Sequence, residues 1–217
     1  MFTGHEFAES ATVILDELHR HQGKASFFLT GAFLTNAAYG GLIRRMIDEG
    51  HYVGPHSDQH LLYCSWEQPK QTLLTRSQFA VDLQENRRKL QTFGISANAI
   101  AWFLPPYEHY NQEIADWTCQ FGMVLVNFTM GTHSNADYTG EADANFASTQ
   151  QIYDSIIARE QQDPNGLSGF LLLLHLGSGP ARVDKFDTRF AELLDYLAER
   201  KYELVSVERL LAKDGQP

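Results

Sequence analysis

Short apolar runs alternate with amphipathic helical segments along most of the chain. The two clearest runs are residues 25–29 and 170–174, the second of which is one Phe followed by four Leu. Continuous apolar strands of this kind are typical of a parallel sheet that is covered on both faces. Strands that alternate with helices likewise indicate parallel pairing. The chain is therefore predicted to be an α/β protein with a closed or nearly closed barrel of about seven parallel strands.

A doubly wound open sheet is the alternative architecture. No glycine-rich phosphate loop follows the first apolar run, which argues against its nucleotide-binding form. The sequence has no linker, low-complexity stretch or charge block, so residues 1–217 are expected to form a single domain. The apolar runs place strands at residues 1–3, 25–29, 52–53, 100–104, 123–128, 170–174 and 204–205. Helical periodicity and end signals place helices at residues 10–21, 42–47, 77–93, 111–120, 148–161, 188–200 and 207–212.

Charge and composition exclude several classes of partner. The formal net charge is −10, and 20% of the residues are charged. An acidic protein lacks the basic patch that nucleic acids and anionic lipids require. No apolar run reaches the length of a membrane span, and the first residues lack the basic start and long apolar region of a signal peptide. The two cysteines, Cys64 and Cys119, can pair or stay free.

Polar residues with catalytic chemistry follow the predicted strands. His5 and Glu6 follow the first, His56 and His60 the third, Glu108 the fourth and His175 the sixth. A long polar loop, residues 129–146, follows the fifth. Because the carboxyl ends of parallel strands meet on one face of a barrel, we expect these side chains to form one active site.

The pair His56 and His60 is a candidate metal site. A spacing of four residues is a weak signal in a chain with nine histidines, and two ordinary loop histidines would also explain it. Two histidines with one carboxylate form a common catalytic zinc site with a position open for water, and Glu6 is the candidate carboxylate. His175 follows an apolar strand, whose surroundings suit an acid tuned for proton transfer, although a core-edge histidine would look the same.

Four segments together resemble the polysaccharide deacetylases of the NodB-homology type, carbohydrate esterase family 4. Residues 49–60, which end in Gly54-Pro55-His56-Ser57-Asp58-Gln59-His60, are similar to that family's metal-binding His-Ser/Thr-x-x-His motif. Residues 24–31, 104–107 and 173–175 resemble its Lys-Ala-Thr-Phe-Phe strand, its Arg-Pro-Pro-Tyr motif and its Leu-x-His motif. The resemblance implies a distorted, TIM-barrel-related (β/α) barrel.

The chain departs from this family at its first motif, Thr-Phe-Asp-Asp, in which the first Asp is the base and the second a metal ligand. An alignment at Thr3 puts His5 at the base position and Glu6 at the ligand position, and we prefer it because it keeps a carboxylate on the metal. An ungapped alignment puts Gly4 and His5 there instead. The family's Arg, which pairs with the base, is Leu104 here, and a neutral or absent base needs no such cation.

The resemblance implies a metal-dependent hydrolase that removes N- or O-acetyl groups from a carbohydrate. One divalent ion, zinc in the first instance with nickel or cobalt as alternatives, would be held by Glu6, His56 and His60, and its bound water would attack the acetyl carbon. His5 would take the proton of that water, unless the metal alone suffices, and the backbone N–H of Tyr107 would hold the oxyanion. His175 would protonate the leaving group. The family's fourth motif, with the Asp that tunes this histidine, has no recognisable counterpart in residues 127–132.

Further polar and aromatic residues are candidates for binding the acetylated carbohydrate. Trp66 is expected to stack on a sugar ring, and four polar residues are expected to shape the substrate site: Glu108, Asn135, Asp137 and Asp184. Solvated turns or helix starts explain most of these polar residues equally well.

Two other functions remain open at the level of sequence. The chain can be a metal-containing relative that recognises a sugar without hydrolysing it, or an amidase for a small amide that is not a sugar. The resemblance suggests a periplasmic or secreted location, and the oligomeric state is open.

Overall fold

The computed structural model describes residues 1–212 and has the expected alternation of strands and helices. The strands are β1 (Phe2–Gly4), β2 (Ser26–Leu29), β3 (Tyr52–Pro55), β4 (Trp102–Phe103), β5 (Val124–Leu125) and β6 (Leu174–His175). The helices are α1 (Ala11–Arg20), α2 (Gly31–Thr35), α3 (Gly40–Asp48), α4 (Arg76–Gln91), α5 (Gln112–Gln120), α6 (Thr149–Gln162), α7 (Asp187–Glu199) and α8 (Val207–Leu211). No helix in this part of the chain is long and apolar enough to cross a membrane.

The strands form a ring rather than a flat sheet. Four parallel strands pair in the order β3-β2-β1-β6, and β4 pairs in parallel with β5. Two backbone hydrogen bonds connect the groups: Leu104 N–H donates to Pro55 C=O (3.4 Å), and Thr129 N–H donates to Leu171 C=O (3.0 Å). The ring is a distorted (β/α) barrel, and the described residues form six strands instead of about seven.

The strands and the residues next to them contribute to two separate apolar clusters. Six buried side chains, from β2, β3, the residues adjoining β4, β5 and β6, and the start of α8, form the smaller cluster: Phe28, Tyr52, Leu104, Val126, Leu173 and Val207. Their neighbours Phe27, Leu29, Val53 and Phe103 belong to a larger cluster that packs against the helices. This arrangement explains the unbroken apolar runs, because both faces of each strand are covered.

The hydroxyl of Tyr52 bridges a gap in the ring between β3 and β4. It donates to Trp102 C=O (2.7 Å) and accepts from Trp102 N–H (2.9 Å). The ring of Tyr52 lies across Gly54, where an added Cβ would come within 2.5 Å of it. The hydroxyl thus satisfies two backbone groups that no neighbouring strand reaches.

Several predicted strands are shorter than their apolar runs. Residues 100–104, 123–128 and 170–174 were each expected to be a full strand, but β4, β5 and β6 have two residues each. The prediction of a strand at residues 204–205 was wrong, although Leu204 C=O accepts a hydrogen bond from Lys24 N–H (2.9 Å). Because the ring is distorted, regular backbone pairing between the strands is short. Buried apolar residues therefore lie beyond the residues that pair.

We predict that Tyr52→Phe destabilises the protein by roughly 1–3 kcal/mol, because two partly buried backbone groups of Trp102 lose their partner. Denaturant unfolding monitored by circular dichroism would measure this change. Tyr110→Phe is the matched control, since the Tyr110 ring is partly exposed and its hydroxyl makes no hydrogen bond within residues 1–212. Equal stability of Y52F and Y110F would contradict the bridging role.

Candidate active site

The polar residues at the strand ends surround one cavity of about 750 Å³. It lies at the carboxyl ends of the parallel strands, as the barrel topology requires. Most of the predicted site residues line it: His5, Glu6, His56, His60, Trp66, Tyr107, Glu108, Asn135 and His175. The structure therefore brings the ends of β1, β3, β4 and β6 together with the loop after β5.

His56 is held in one orientation by backbone contacts. Its Nδ1 lies 2.8 Å from Leu104 C=O, so this nitrogen carries the proton and donates it. Its own N–H donates to Asn86 Oδ1 (3.0 Å), and Asn86 Nδ2 donates to Leu29 C=O (3.1 Å). Burial lowers the pKa of His56 well below its usual value, and the nearby His60 lowers it further. The ring is neutral, and its Nε2 presents a lone pair to the cavity.

Helix α4 positions the loop between the two histidines with inward polar side chains. Besides Asn86, Asp82 accepts hydrogen bonds from Gln59 N–H (2.9 Å) and from the Tyr63 hydroxyl (2.7 Å). Sequence analysis did not single out either residue. Two polar residues four positions apart on the inner face of a predicted helix were the signal that could have identified them.

His60 and His5 add two further imidazoles to the cavity. Their rings stack with centroids 4.4 Å apart, and the His60 ring lies 5.2 Å from that of His56. Burial and the neighbouring His5 lower the pKa of His60 to about 4. Burial also lowers the pKa of His5, against the opposing charge of Glu6. His5 Nδ1 lies 3.0 Å from the Thr30 hydroxyl.

Glu6 lies at the cavity but its side chain faces outward. It is 65% exposed, and its Oε1 is 3.9 Å from His5 Nε2. Within residues 1–212, no three His, Cys, Asp or Glu side chains are arranged around one possible metal position. The expected ligand set of Glu6, His56 and His60 is thus not assembled in this geometry. The two neutral imidazoles of His56 and His60 nevertheless fit zinc, nickel or cobalt chemically.

Glu108 is largely buried beside His56, whereas sequence analysis expected it to shape the substrate site. Its side chain is 13% exposed, and its Oε1 lies 3.9 Å from His56 Nε2. Burial raises the pKa of Glu108 to about 7, despite the opposing charge of His175. The preceding Tyr107 and Glu108 itself have φ angles of 59° and 53°, a left-handed backbone that residues with a side chain rarely adopt. Nothing in the residue types predicts this conformation.

His175 is paired with Asp137 from the long loop after β5. His175 Nδ1 lies 2.6 Å from Asp137 Oδ1, and His175 N–H donates to Asp137 Oδ2 (2.8 Å). Burial alone would lower the pKa of His175, but the charge and hydrogen bond of Asp137 outweigh it and raise the pKa. Asp137 therefore supplies the partner that could not be placed from sequence. Both of its oxygens bind His175, so the geometry does not support the expected contact with sugar hydroxyls.

Arg182 fixes the loop that carries Asp137. Its buried guanidinium donates to three backbone carbonyls of this region: Ala136 (3.3 Å), Thr139 (2.9 Å) and Ala147 (2.9 Å). Asp184 was expected to shape the substrate site, but it does not line the cavity. Its Oδ2 instead accepts a hydrogen bond from Thr149 N–H (2.7 Å) at the start of α6, because the chain after Arg182 turns toward that helix.

Aromatic side chains form one side of the cavity mouth. Trp66 is 57% exposed and stacks on His109 with ring centroids 3.9 Å apart. The Tyr107 ring lies 4.5 Å from that of His60 and 6.3 Å from that of Trp66. Asn135 also lines the cavity. Aromatic side chains and an amide at the mouth of a cavity with both polar and apolar walls suit a ligand with alternating apolar and hydroxyl surfaces.

The amino-acid sequence is similar to a known protein family and to individual known proteins. The polysaccharide deacetylase family profile matches residues 4–126. The chain is 28% identical over 130 residues to the uncharacterized protein YlxY of Bacillus subtilis, covering 59% of this chain and 36% of that protein. It is 26% identical over 119 residues to the peptidoglycan-N-acetylglucosamine deacetylase PgdA of Listeria monocytogenes, covering 55% of this chain and 22% of that protein. The matches thus span well under half of either relative.

Solved structures share the fold across nearly the whole chain. The wild-type BA3943 protein of Bacillus anthracis, described as a pseudoenzyme of the CE4 family, superposes with a TM-score of 0.69. The match covers 97% of this chain and 64% of that one, at 18% identity. At this identity the likeness establishes the barrel fold alone.

We predict that Asp137→Asn lowers the pKa of His175 from above to below its ordinary value near 6.5, because burial persists while the carboxylate charge is lost. Nuclear magnetic resonance of the labelled imidazole across a pH titration would measure both values. Asp154→Asn, which alters an exposed carboxylate on α6, is the matched control. An unchanged His175 titration in D137N would show that the pairing does not control the proton.

Proposed function

Because the chain belongs to the polysaccharide deacetylase family, we propose that it is a metal-dependent hydrolase that removes acetyl groups from a carbohydrate. One observation carries the proposal. Two neutral imidazoles, His56 and His60, line the same cavity as a histidine held by a carboxylate, His175 with Asp137. This combination provides metal donors and a proton donor for one substrate.

His56 and His60 are the proposed metal ligands. The backbone carbonyl of Leu104 fixes His56 Nδ1, as outer partners of metal-binding histidines generally do, and leaves Nε2 available. A divalent ion there, zinc first and nickel or cobalt as alternatives, would act as a Lewis acid and lower the pKa of water. The third donor predicted from sequence, Glu6, would have to turn inward to join them.

His175 is the proposed general acid. Its Nδ1 is bound to Asp137, so Nε2 is the atom that can deliver a proton to a departing amine or alkoxide. The charge and hydrogen bond of Asp137 raise the pKa of His175 against the effect of burial, which favours retention of the proton on the imidazole. The backbone N–H of Tyr107 is the proposed donor to the oxyanion, and the neutral imidazole of His5 is the proposed base.

An acetylated sugar is the proposed substrate, and Trp66 and Asn135 are the proposed contacts to its ring and hydroxyls. The match to PgdA supports N-acetylated glycans such as peptidoglycan as the first substrates to test. Peptidoglycan lies outside the cytoplasm, so this substrate agrees with the periplasmic or secreted location that the family suggests.

A second candidate function is sugar recognition without hydrolysis. It is favoured by the outward-facing Glu6 and by the absence of a three-donor cluster within residues 1–212. Acetate release from a panel of acetylated sugars, assayed with added zinc, cobalt or nickel, separates the two functions. Release supports the deacetylase, and saturable sugar binding without release supports the second candidate. Turnover of a small non-sugar amide in place of the sugars would instead indicate an amidase.

We predict that the double variant His56→Ala/His60→Ala loses bound metal and acetate release together, because both proposed imidazole donors are removed. Metal content by inductively coupled plasma mass spectrometry and acetate by an enzyme-linked assay would measure the two losses. His19→Ala, at an exposed position on α1, controls for the general effect of removing a histidine. Full metal content and full activity in the double variant would contradict the proposal.

A further inference from the structure

Glu108 and His56 present two largely buried hydrogen-bond acceptors to each other. His56 donates its ring proton from Nδ1 to Leu104 C=O, so the Nε2 that faces Glu108 carries a lone pair. Glu108 Oε1 is 3.9 Å away, and within residues 1–212 no hydrogen bond reaches either carboxylate oxygen of Glu108. Two such acceptors are unfavourable together unless a cation or proton lies between them.

The separation of the two atoms suits a shared metal ion. Zinc binds imidazole nitrogen and carboxylate oxygen at about 2.0–2.2 Å, so two ligands of a tetrahedral ion are roughly 3.4 Å apart. The observed 3.9 Å exceeds this by a shift that one side-chain rotation can supply. Within residues 1–212 no three His, Cys, Asp or Glu side chains yet surround one position, so the rotation must also bring Glu108 onto a common point with His60.

The backbone holds Glu108 in this position despite an unfavourable conformation. Tyr107 and Glu108 are consecutive left-handed residues, and neither is glycine. Asn127 Nδ2 donates to Glu108 C=O (2.8 Å), and Glu108 N–H donates to Pro105 C=O (3.1 Å). Strain of this kind persists only where surrounding contacts enforce it, and it is concentrated at functional sites.

We propose that Glu108 is the carboxylate ligand that completes the metal site of His56 and His60. The inference rests on the proposed function and specifies its ligand set. Glu108 is 13% exposed and faces His56, whereas Glu6 is 65% exposed and lies beside His5 instead. The carboxylate that the first motif supplies in the family would thus come from the end of β4 in this chain.

The test compares three Glu→Gln variants of the full chain in metal binding alone. The variants are Glu108→Gln, Glu6→Gln and Glu67→Gln, the last at an exposed residue outside the cavity. Loss of outer partners weakens metal binding about 10–100-fold, so loss of a direct ligand should weaken zinc binding in E108Q by about 100-fold or more. Isothermal titration calorimetry with Zn²⁺ measures this, and the visible spectrum of bound Co²⁺ should change in E108Q only.

Thermal unfolding provides a readout that checks folding at the same time. Zinc should raise the melting temperature of the wild type, E6Q and E67Q, because a ligand that binds the folded state stabilises it. E108Q should unfold cooperatively in chelator but gain little from zinc. If E108Q binds zinc like the wild type, the inference is overturned, and loss of binding in E6Q instead would assign the site to Glu6.

Failure of the proposed function gives a different result. If the wild type and the His56→Ala/His60→Ala variant both fail to bind any of the three metals, metal dependence itself is overturned, and the role of Glu108 with it. If the wild type binds metal through the two histidines while E108Q is unaffected, only the ligand role of Glu108 fails.

Discussion

The hydrogen bond from His56 Nδ1 to Leu104 C=O connects the end of β3 to the end of β4, and the rest of the site depends on it. It fixes the tautomer of His56 and so directs a lone pair at Nε2 into the cavity. Because its acceptor is a backbone carbonyl, the side chain at position 104 can change without breaking it. This explains how a Leu can stand at the arginine position of the family motif while His56 keeps its orientation.

On the opposite side of the cavity, the buried guanidinium of Arg182 rather than a strand holds the backbone in place. Arg182 donates to backbone carbonyls in the middle of the long loop, those of Ala136 and Thr139, and to that of Ala147 just after it. The loop thereby presents Asp137 to both the ring and the backbone N–H of His175. A loop of this length would otherwise sample many conformations, so the fixed proton donor of the proposed site depends on this distant guanidinium.

Residue patterns predicted the fold and the location of the site, but not its internal contacts. The apolar runs and the alternation of elements identified the barrel, and the helix expected at residues 111–120 is α5, which Asn111 caps by accepting from Ile114 N–H. The features of the site that the sequence did not predict are contacts between distant parts of the chain. Burial of Glu108 follows from a left-handed backbone that its residue type disfavours, and the Asp137 contact depends on how Arg182 folds the loop. Neither leaves a local signal in the sequence.

Charge balance connects the altered first motif to the proposed ligand set. Where the family has two aspartates, the cavity here has the neutral His5 and the outward-facing Glu6. Glu108 would be the remaining carboxylate near His56 and His60, since Asp137 is paired with His175. A divalent cation held by one carboxylate and two neutral imidazoles would keep a net charge of about +1. Such a centre would attract the oxygen of an acetyl group and the negative charge that develops on it, so the loss of the aspartates is compatible with hydrolysis.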